Sequence, residues 1–320
     1  MKMKYIPPSF NKLSEMAYID VCRLTEEQAR TILENIRWKN GIVCPHCQSK
    51  RVVKIKGKSD TVRDGIIRCN DCCKQFTVTV GTIIQGSHVT LRQWLQAFYS
   101  MCASKKGVSA LQLQRNLGLH SYHSAWYLAH RIRKAMTIEP KLKGLKGIVE
   151  VDETYVGGKP RRYDGIERKR GRGTLKAPVM LMVERNGRAI SKPIDNVSAS
   201  TLQSAIKEMV NKNATIMTDE WKSYNGIGRN FKGGHQIVNH SMGEYVNGTA
   251  NTNTAESYFA LLKRGITGTF HHISKKHLSR YCNEFSFRWD NRQVTDGERT
   301  ENAIRGILGK RLMLKEVVGG

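Results

Sequence analysis

The sequence predicts a multidomain α/β protein: an N-terminal half of helices around a cysteine-stapled segment, then a mixed β-sheet flanked by helices. Three observations predict it. Two CxxC pairs, Cys44–Cys47 and Cys69–Cys72, are separated by 21 residues. From about residue 90 to 137 apolar residues recur at helical spacing. After residue 147 strand-like and helical runs follow in the order β-β-β-α-β-β-α-α, the pattern of a sheet with helices on its faces.

The 320-residue chain carries 53 Lys plus Arg against 27 Asp plus Glu, a formal charge of +26. Solubility does not require so large a charge. It fits a polyanionic partner, nucleic acid first, although a generic basic protein of the ribosomal kind has the same composition. MKMKYIPPSFNKLSEM has no apolar signal core, and no run reaches the roughly 18 apolar residues of a membrane span. A cytoplasmic, nucleoid-associated protein without a membrane partner is the expectation, with its eight cysteines as thiols or metal ligands.

Residues 1–40 form an N-terminal helical segment. In TEEQARTILENIRW, Thr25 with Gln28 reads as a capping box, and Ala29, Ile32, Leu33 and Ile36 make an apolar stripe. Residues 41–83 alternate short β-like runs with cysteine turns and are too polar to hold a core unaided, so they need a staple. Cys44, Cys47, Cys69 and Cys72 supply four soft ligands for a structural Zn²⁺ in a zinc ribbon, with no position open for chemistry. Redox-active CxxC motifs are the rival reading, and His46 and Cys73 are spare donors. Cys22, Cys73, Cys102 and Cys282 read as buried thiols. Residues 84–140 give three helices. The glycine-containing turn between the second and third suggests a helix-turn-helix, a pattern that plain three-helix bundles share. Arg131, Arg133 and Lys134 on the third helix favour DNA contact.

Residues 145–295 change texture. In GIVEVDETYVG, alternation turns Val149, Val151 and Glu153 one way and Glu150, Asp152 and Thr154 the other. KAPVMLMVER reads as a strand buried on both faces, and Asn186-Gly187 as a hairpin turn. SASTLQSAIKEMV is an amphipathic helix with Ser200 and Gln203 as its capping box. ATIMTD is a fourth strand and HQIVNHS a candidate fifth; helices at about 254–265 and 274–290 follow, and residues 296–320 form a C-terminal helix or tail. The stretch 157–176 holds eight Lys or Arg. Lys159, Arg161, Arg162, Arg168, Lys169, Arg170 and Arg172 are expected to track phosphates from it; a solvated loop is the bland alternative.

Three acids stand out in so basic a chain. Asp152 lies on the first strand of this region, Asp219 ends the fourth, and Glu256 opens the next helix. Singly, each has an ordinary reading, as a helix cap or a surface charge. Between Asp152 and Asp219 lie 66 residues, and between Asp219 and Glu256 lie 36. Asn253, Glu256 and Lys263, at i, i+3 and i+10, fall near one helical face.

With CPHC, CNDCCKQFTVTVGTII, LRQWLQAFYSM, VDETYVGGK, TDEWKSY and NTNTAESYFALLKRG in this order, the chain resembles zinc-ribbon-bearing DDE insertion-sequence transposases. These are of the ISXO type and related to the eukaryotic Merlin elements. The resemblance covers residues from about 25 to 295. It implies a ribonuclease H-like, retroviral-integrase-like catalytic domain in which Asp152, Asp219 and Glu256 hold two Mg²⁺ ions, with Lys263 as the positive companion. Some members carry Asn as the third ligand, so Asn253 stands as a substitute for Glu256; a carboxylate suits a hard cation better. Implied too are DNA strand cleavage and transfer at terminal inverted repeats, target DNA as second partner, and a homodimer or larger synaptic assembly. Arg264, Lys275 and Lys276 are further DNA-contact candidates. Alternatives are a domesticated, catalytically silent DNA-binding regulator, a nuclease on the same fold, and a tyrosine or serine recombinase, which would attach DNA covalently to itself.

Overall fold

Thr25 opens the first long helix. Its hydroxyl accepts from the Gln28 N–H (3.2 Å), and the Gln28 side-chain oxygen accepts from the Thr25 N–H (2.8 Å), closing the predicted capping box. In the computed structural model, residues 12–55, 64–137, 144–158, 174–238 and 251–319 are described. They divide into two compact units, residues 1–136 with 294–320, and residues 137–293.

The first unit starts with α1 (Tyr18–Arg23) and α2 (Glu26–Arg37), the latter burying Ala29, Ile32 and Leu33. An antiparallel sheet of β1 (Val52–Lys54), β2 (Ile67–Cys69) and β3 (Gln75–Phe76) follows, in that order. Then come α3 (Leu91–Ala103), α4 (Ala110–Leu117) and α5 (Tyr122–Ala135). Gly118, at φ +62°, ends α4 in the left-handed conformation, and its N–H bonds back to the Arg115 carbonyl. Helices α9 (Asp296–Arg305) and α10 (Leu314–Val318), from the far end of the chain, also belong here, and Arg299 of α9 donates to the Cys102 carbonyl of α3 (3.1 Å).

Gly297 shows how closely α9 is seated. A Cβ there would meet the Leu13 carbonyl oxygen at 2.5 Å and that of Ser14 at 2.7 Å. Backbone cannot yield as a side-chain tip can, so Gly297→Ala is expected to lower the stability of this unit by about 1–3 kcal/mol in urea unfolding. An unchanged midpoint would show that α9 is loosely held.

The third helix corrects the sequence reading. Arg131 and Arg133, expected on a DNA-facing surface, are only 4% and 2% exposed. The Arg131 guanidinium stacks over Trp94 and Tyr127, 5.0 and 5.3 Å from the ring centroids, and donates to the Gln85 carbonyl (2.8 Å). Its charge serves the interior through these ring contacts. Lys134 is half-buried, and the exposed residues of α5 are Tyr122, His123 and Ser124 at its N-terminal end.

The second unit is built on five strands ordered β6-β5-β4-β7-β8. β4 (Ile148–Val156), β5 (Ala177–Glu184) and β6 (Ala189–Pro193) form an antiparallel meander. α6 (Ala199–Met209) then carries the chain to β7 (Thr215–Asp219), which runs parallel to β4, and β8 (His235–Val238) runs parallel to β7. α7 (Asn253–Gly265) and α8 (Lys275–Asp290) complete the unit. The sheet is thus mixed, with β4 at its centre. Val149, Val151, Met180, Met182 and Ile216 pack on one face with α6 and Tyr224. On the other, Val179, Leu181 and Val183 pack with Ala255, Tyr258 and Phe259 of α7 and Phe285 of α8. β5 is therefore apolar along its length because both its faces are buried.

Two local expectations shift. Ser198, not Ser200, caps α6, accepting from the Thr201 N–H, while Gln203 donates to the carbonyls of Ser223 and Asn225. The β5–β6 ladder ends at Val183 with Ala189, and the Glu184 N–H reaches the Arg188 carbonyl (2.8 Å). The turn therefore holds Arg185, Asn186 and Gly187, one residue more than a two-residue Asn-Gly turn. Asn186 takes the positive φ (+63°), as its short amide side chain tolerates.

Candidate active site and metal centre

The cysteine quartet is the tightest group of ligand-type atoms among the described residues. The Sγ atoms of Cys44, Cys47, Cys69 and Cys72 all lie within 4.8 Å of one another. Cys44 and Cys72 are 3.7 Å apart and Cys47 and Cys69 3.5 Å. These separations are too long for disulfides, at about 2.05 Å. They approach the ~3.8 Å edge of a tetrahedron with ~2.3 Å Zn–S bonds. The donor set therefore fits zinc. Cys44, Cys69, Ile67 and Phe76 are also the buried core of the ribbon, so sulfur and side chains together hold three very short strands. His46 points no ring nitrogen into this quartet and is exposed. Of the other cysteines, Cys102 and Cys282 are buried as expected, whereas Cys73 is exposed and Cys22 half-buried, so these two are not the buried thiols the sequence suggested.

Asp152 and Asp219 lie on adjacent strands of the second unit, and Glu256 lies on α7. The parallel register pairs Ile148 with Thr215, Val149 with Ile216 and Glu150 with Met217; carried two residues on, it sets Asp152 level with Asp219. With Val149 and Val151 packed toward α6, Glu150 and Asp152 face the α7 side. Glu256 lies in the first turn of α7 and is exposed, while Ala255, Tyr258, Phe259 and Leu262 are buried. Asp152 and Asp219 are half-buried. One oxygen of each is occupied: Asp152 Oδ1 accepts from the Glu153 N–H (2.7 Å), and Asp219 Oδ1 from the Trp221 N–H (3.2 Å). Burial foremost, then the charge of neighbouring Glu153, and those of Asp219 and Glu256, push the Asp152 carboxyl up to about 7. The other two acids thus act electrostatically on Asp152, and a cluster of this kind is relieved by cations. Its donors are all oxygen, the hard set that Mg²⁺ prefers. Glu153 is turned to the opposite face, where it accepts from the Tyr224 hydroxyl (2.6 Å).

Other candidates lie along α7 and at the start of α8. Asn253 is the first residue of α7 and exposed, one turn before Glu256. Lys263, two turns after Glu256, is exposed with its ammonium 6.0 Å from the Phe259 ring centroid, and exposed Arg264 donates to the Ala260 carbonyl. Lys275 and Lys276 are exposed at the start of α8. Lys159, Arg161, Arg162, Arg168, Lys169, Arg170 and Arg172 lie outside the described residues.

Two residues next to the site were not singled out by the sequence. Glu150, fully buried, accepts from Arg185 Nε (3.0 Å), from the N–H groups of Thr254 (2.8 Å) and Ala255 (3.0 Å), and from the Thr254 hydroxyl (2.9 Å). Arg185 also donates to the Asn251 carbonyl (3.2 Å). The signal for Glu150 was its strand position two residues before Asp152, on the same face of a strand with an apolar interior. Arg185 gave no signal in sequence. Further along α7, the Tyr258 hydroxyl bonds Ser191 of β6 (2.6 Å) and Ser286 of α8 (3.1 Å) in a buried network.

Comparison with known proteins gives three findings. Residues 144–290 match the family model of the ISXO2-like transposase domain, and residues 24–75 that of the transposase zinc-ribbon domain. The chain is also 29% identical, over 276 residues, to an uncharacterized protein in transposable element ISH50 of Halobacterium salinarum. That alignment covers 83% of this chain and 91% of the relative. Among the described residues no helix is long and apolar enough to cross a membrane.

Proposed function

We propose that this chain, which belongs to the insertion-sequence transposases with a zinc ribbon, is a DDE-type enzyme that cleaves and joins DNA strands at the ends of its element. The observation that carries the reading is the parallel β4–β7 register, which sets Asp152 level with Asp219, together with the charges of Asp219 and Glu256 acting on Asp152. The strand order β6-β5-β4-β7-β8, with only the β4–β7 and β7–β8 pairs parallel, supports a ribonuclease H-like core.

Asp152, Asp219 and Glu256, or Asn253 in its place, would hold two Mg²⁺ ions. When bound, such a pair supplies Lewis acidity to both the attacking and the leaving oxygen of an in-line displacement. The chain's own residues bind and align the DNA. Lys263 and Arg264 beyond Glu256, and Lys275 and Lys276 at the start of α8, are placed to meet phosphates around the site. Water would first hydrolyse the phosphodiester at the element end, leaving a 3′-hydroxyl there and a 5′-phosphate on the flanking strand; that hydroxyl would then attack a target phosphodiester, joining to its 5′-phosphate and releasing a target 3′-hydroxyl. No side chain becomes bonded to DNA.

In the first unit the α4–turn–α5 arrangement supports a helix-turn-helix. The N-terminal residues of such a second helix meet base edges, so Tyr122, His123 and Ser124 replace the buried Arg131 and Arg133 as the reading candidates. The zinc ribbon adds a second module for double-stranded DNA. Joining two ends requires a homodimer or larger assembly. The intact acid set speaks against a catalytically silent regulator.

The test uses duplexes ending in the element's terminal repeats and random duplexes of equal length, at fixed ionic strength. Mg²⁺-dependent release of a 3′-hydroxyl from the repeat ends, without a protein–DNA adduct on denaturing gels, is the expected result. A covalent adduct, or equal cleavage of both duplexes, would overturn the reading.

A further inference from the structure

We propose that Glu150 is a positioning residue that fixes the first turn of α7, and with it Glu256, against the strands bearing Asp152 and Asp219. The inference rests on the metal-site reading above and adds a residue to it.

Glu150 is 0% exposed. A carboxylate buried this far is tolerated only when paired and hydrogen-bonded. Its partners are unusual in where they come from. The N-cap of α7, Thr252, makes no side-chain cap bond of its own. The first N–H groups of a helix need acceptors, and a negative charge there is favourable. Glu150 supplies both from β4, 104 residues earlier in the chain than Thr254. Its Oε2 takes the N–H groups of Thr254 and Ala255; its Oε1 takes the Thr254 hydroxyl and Arg185 Nε.

Arg185 extends the tie. From the β5–β6 turn it also reaches the carbonyl of Asn251, just before α7, and lies 3.1 Å from Met217 Sδ on β7. One ion pair thus joins β4, β7 and the start of α7. Glu150 is only two strand residues from Asp152, about 6–7 Å along the same face. Glu256 directly follows Ala255. Asp152 and Glu256 are thus linked through two strand residues, the Ala255 N–H hydrogen bond to Glu150, and one peptide step. Two donors already fill each Glu150 oxygen, and a carboxylate offers about four acceptor sites. Glu150 therefore holds the helix and is not a fourth metal ligand.

The test is made on the zinc-loaded full chain, with Mn²⁺ binding measured by titration calorimetry and melting followed by circular dichroism. Glu150→Gln keeps the size but turns an NH₂ group toward N–H donors. It is expected to weaken Mn²⁺ binding by about 10- to 100-fold, the usual cost of losing an outer-sphere orienting group. Its strand cleavage should recover as Mg²⁺ is raised. Glu150→Asp retains the charge but withdraws it by one methylene, and should fall between wild type and Glu150→Gln; it serves where Glu150→Gln does not fold. Lowered melting with wild-type Mn²⁺ affinity in the folded variants would reduce Glu150 to a structural residue and overturn the proposal. Asp152→Asn separates the two ideas. If wild type shows no Mn²⁺ binding that Asp152→Asn removes, the metal-site reading fails, whatever Glu150 does.

Discussion

Asp152→Asn is expected to lower Mg²⁺-dependent strand cleavage by at least about 10³-fold while making the metal-free protein more stable. The first effect follows from the proposed metal-holding role. Metal-ion charge stabilisation of a displacement is worth several kcal/mol, and each 1.36 kcal/mol is tenfold in rate. The second follows from the electrostatics. In the folded chain burial, then Glu153, Asp219 and Glu256, raise the Asp152 carboxyl from 3.8 to about 7. A group whose folded value lies above its unfolded value favours folding fully below the unfolded value. That contribution is lost as pH rises through the folded one. Metal-free wild type should therefore lose stability between about pH 4 and 7. Asp152→Asn, with nothing to ionise there, should lose less and melt higher at neutral pH. Single-turnover cleavage rates and melting curves across this range, in Mg²⁺-free buffer that leaves zinc bound, measure both effects. A variant that cleaves like wild type would remove Asp152 from the chemistry. A variant that melts lower at neutral pH would mean that its carboxylate is stabilised by partners, not strained by neighbours.

On the proposed reading, the acids could be picked out in sequence, while the residues that support them could not. Asp152 and Asp219 sit at strand positions that period-two alternation and a change of texture mark out, and adjacent parallel strands bring such positions level. Glu256 by its helix position alone reads as an ordinary surface charge; its spacing, its Lys263 companion and the family resemblance set it apart. The Glu150 clamp was not legible. Its donors lie 35 to 105 residues away in the chain, and a strand glutamate carries no mark of what folds against it. Arg131 and Arg133 misled for the opposite reason. Their charge suggested solvent and phosphate, but both are buried, and the Arg131 guanidinium over Trp94 and Tyr127 is as well served inside. Propensity and charge describe a residue's own preferences; long-range partners decide where those preferences are met.

Removing zinc, or replacing Cys69 with Ser, is expected to unfold the ribbon and leave the second unit folded. Strands of three, three and two residues cannot stand alone, and two of the four residues in the ribbon's buried core are ligand cysteines. Structural zinc contributes about 10–16 kcal/mol in small modules of this size, more than such a core could replace. The second unit has its own two-faced core, built without any of these cysteines. Hydrogen exchange should therefore show amide protection lost from Cys44 to Phe76 and kept along β4, β5 and α7. Metal analysis should give one zinc per wild-type chain and a deficit in Cys69→Ser. His46→Ala, at an exposed side chain beside the quartet, should retain both zinc and protection. On the functional reading, the zinc-free chain keeps Asp152-dependent Mn²⁺ binding but loses its preference for element ends, since cleavage and end recognition sit on separate cores. Protection that survives complete zinc removal would show that side-chain packing alone holds the ribbon. Loss of protection along β4 as well would show that the two units fold as one.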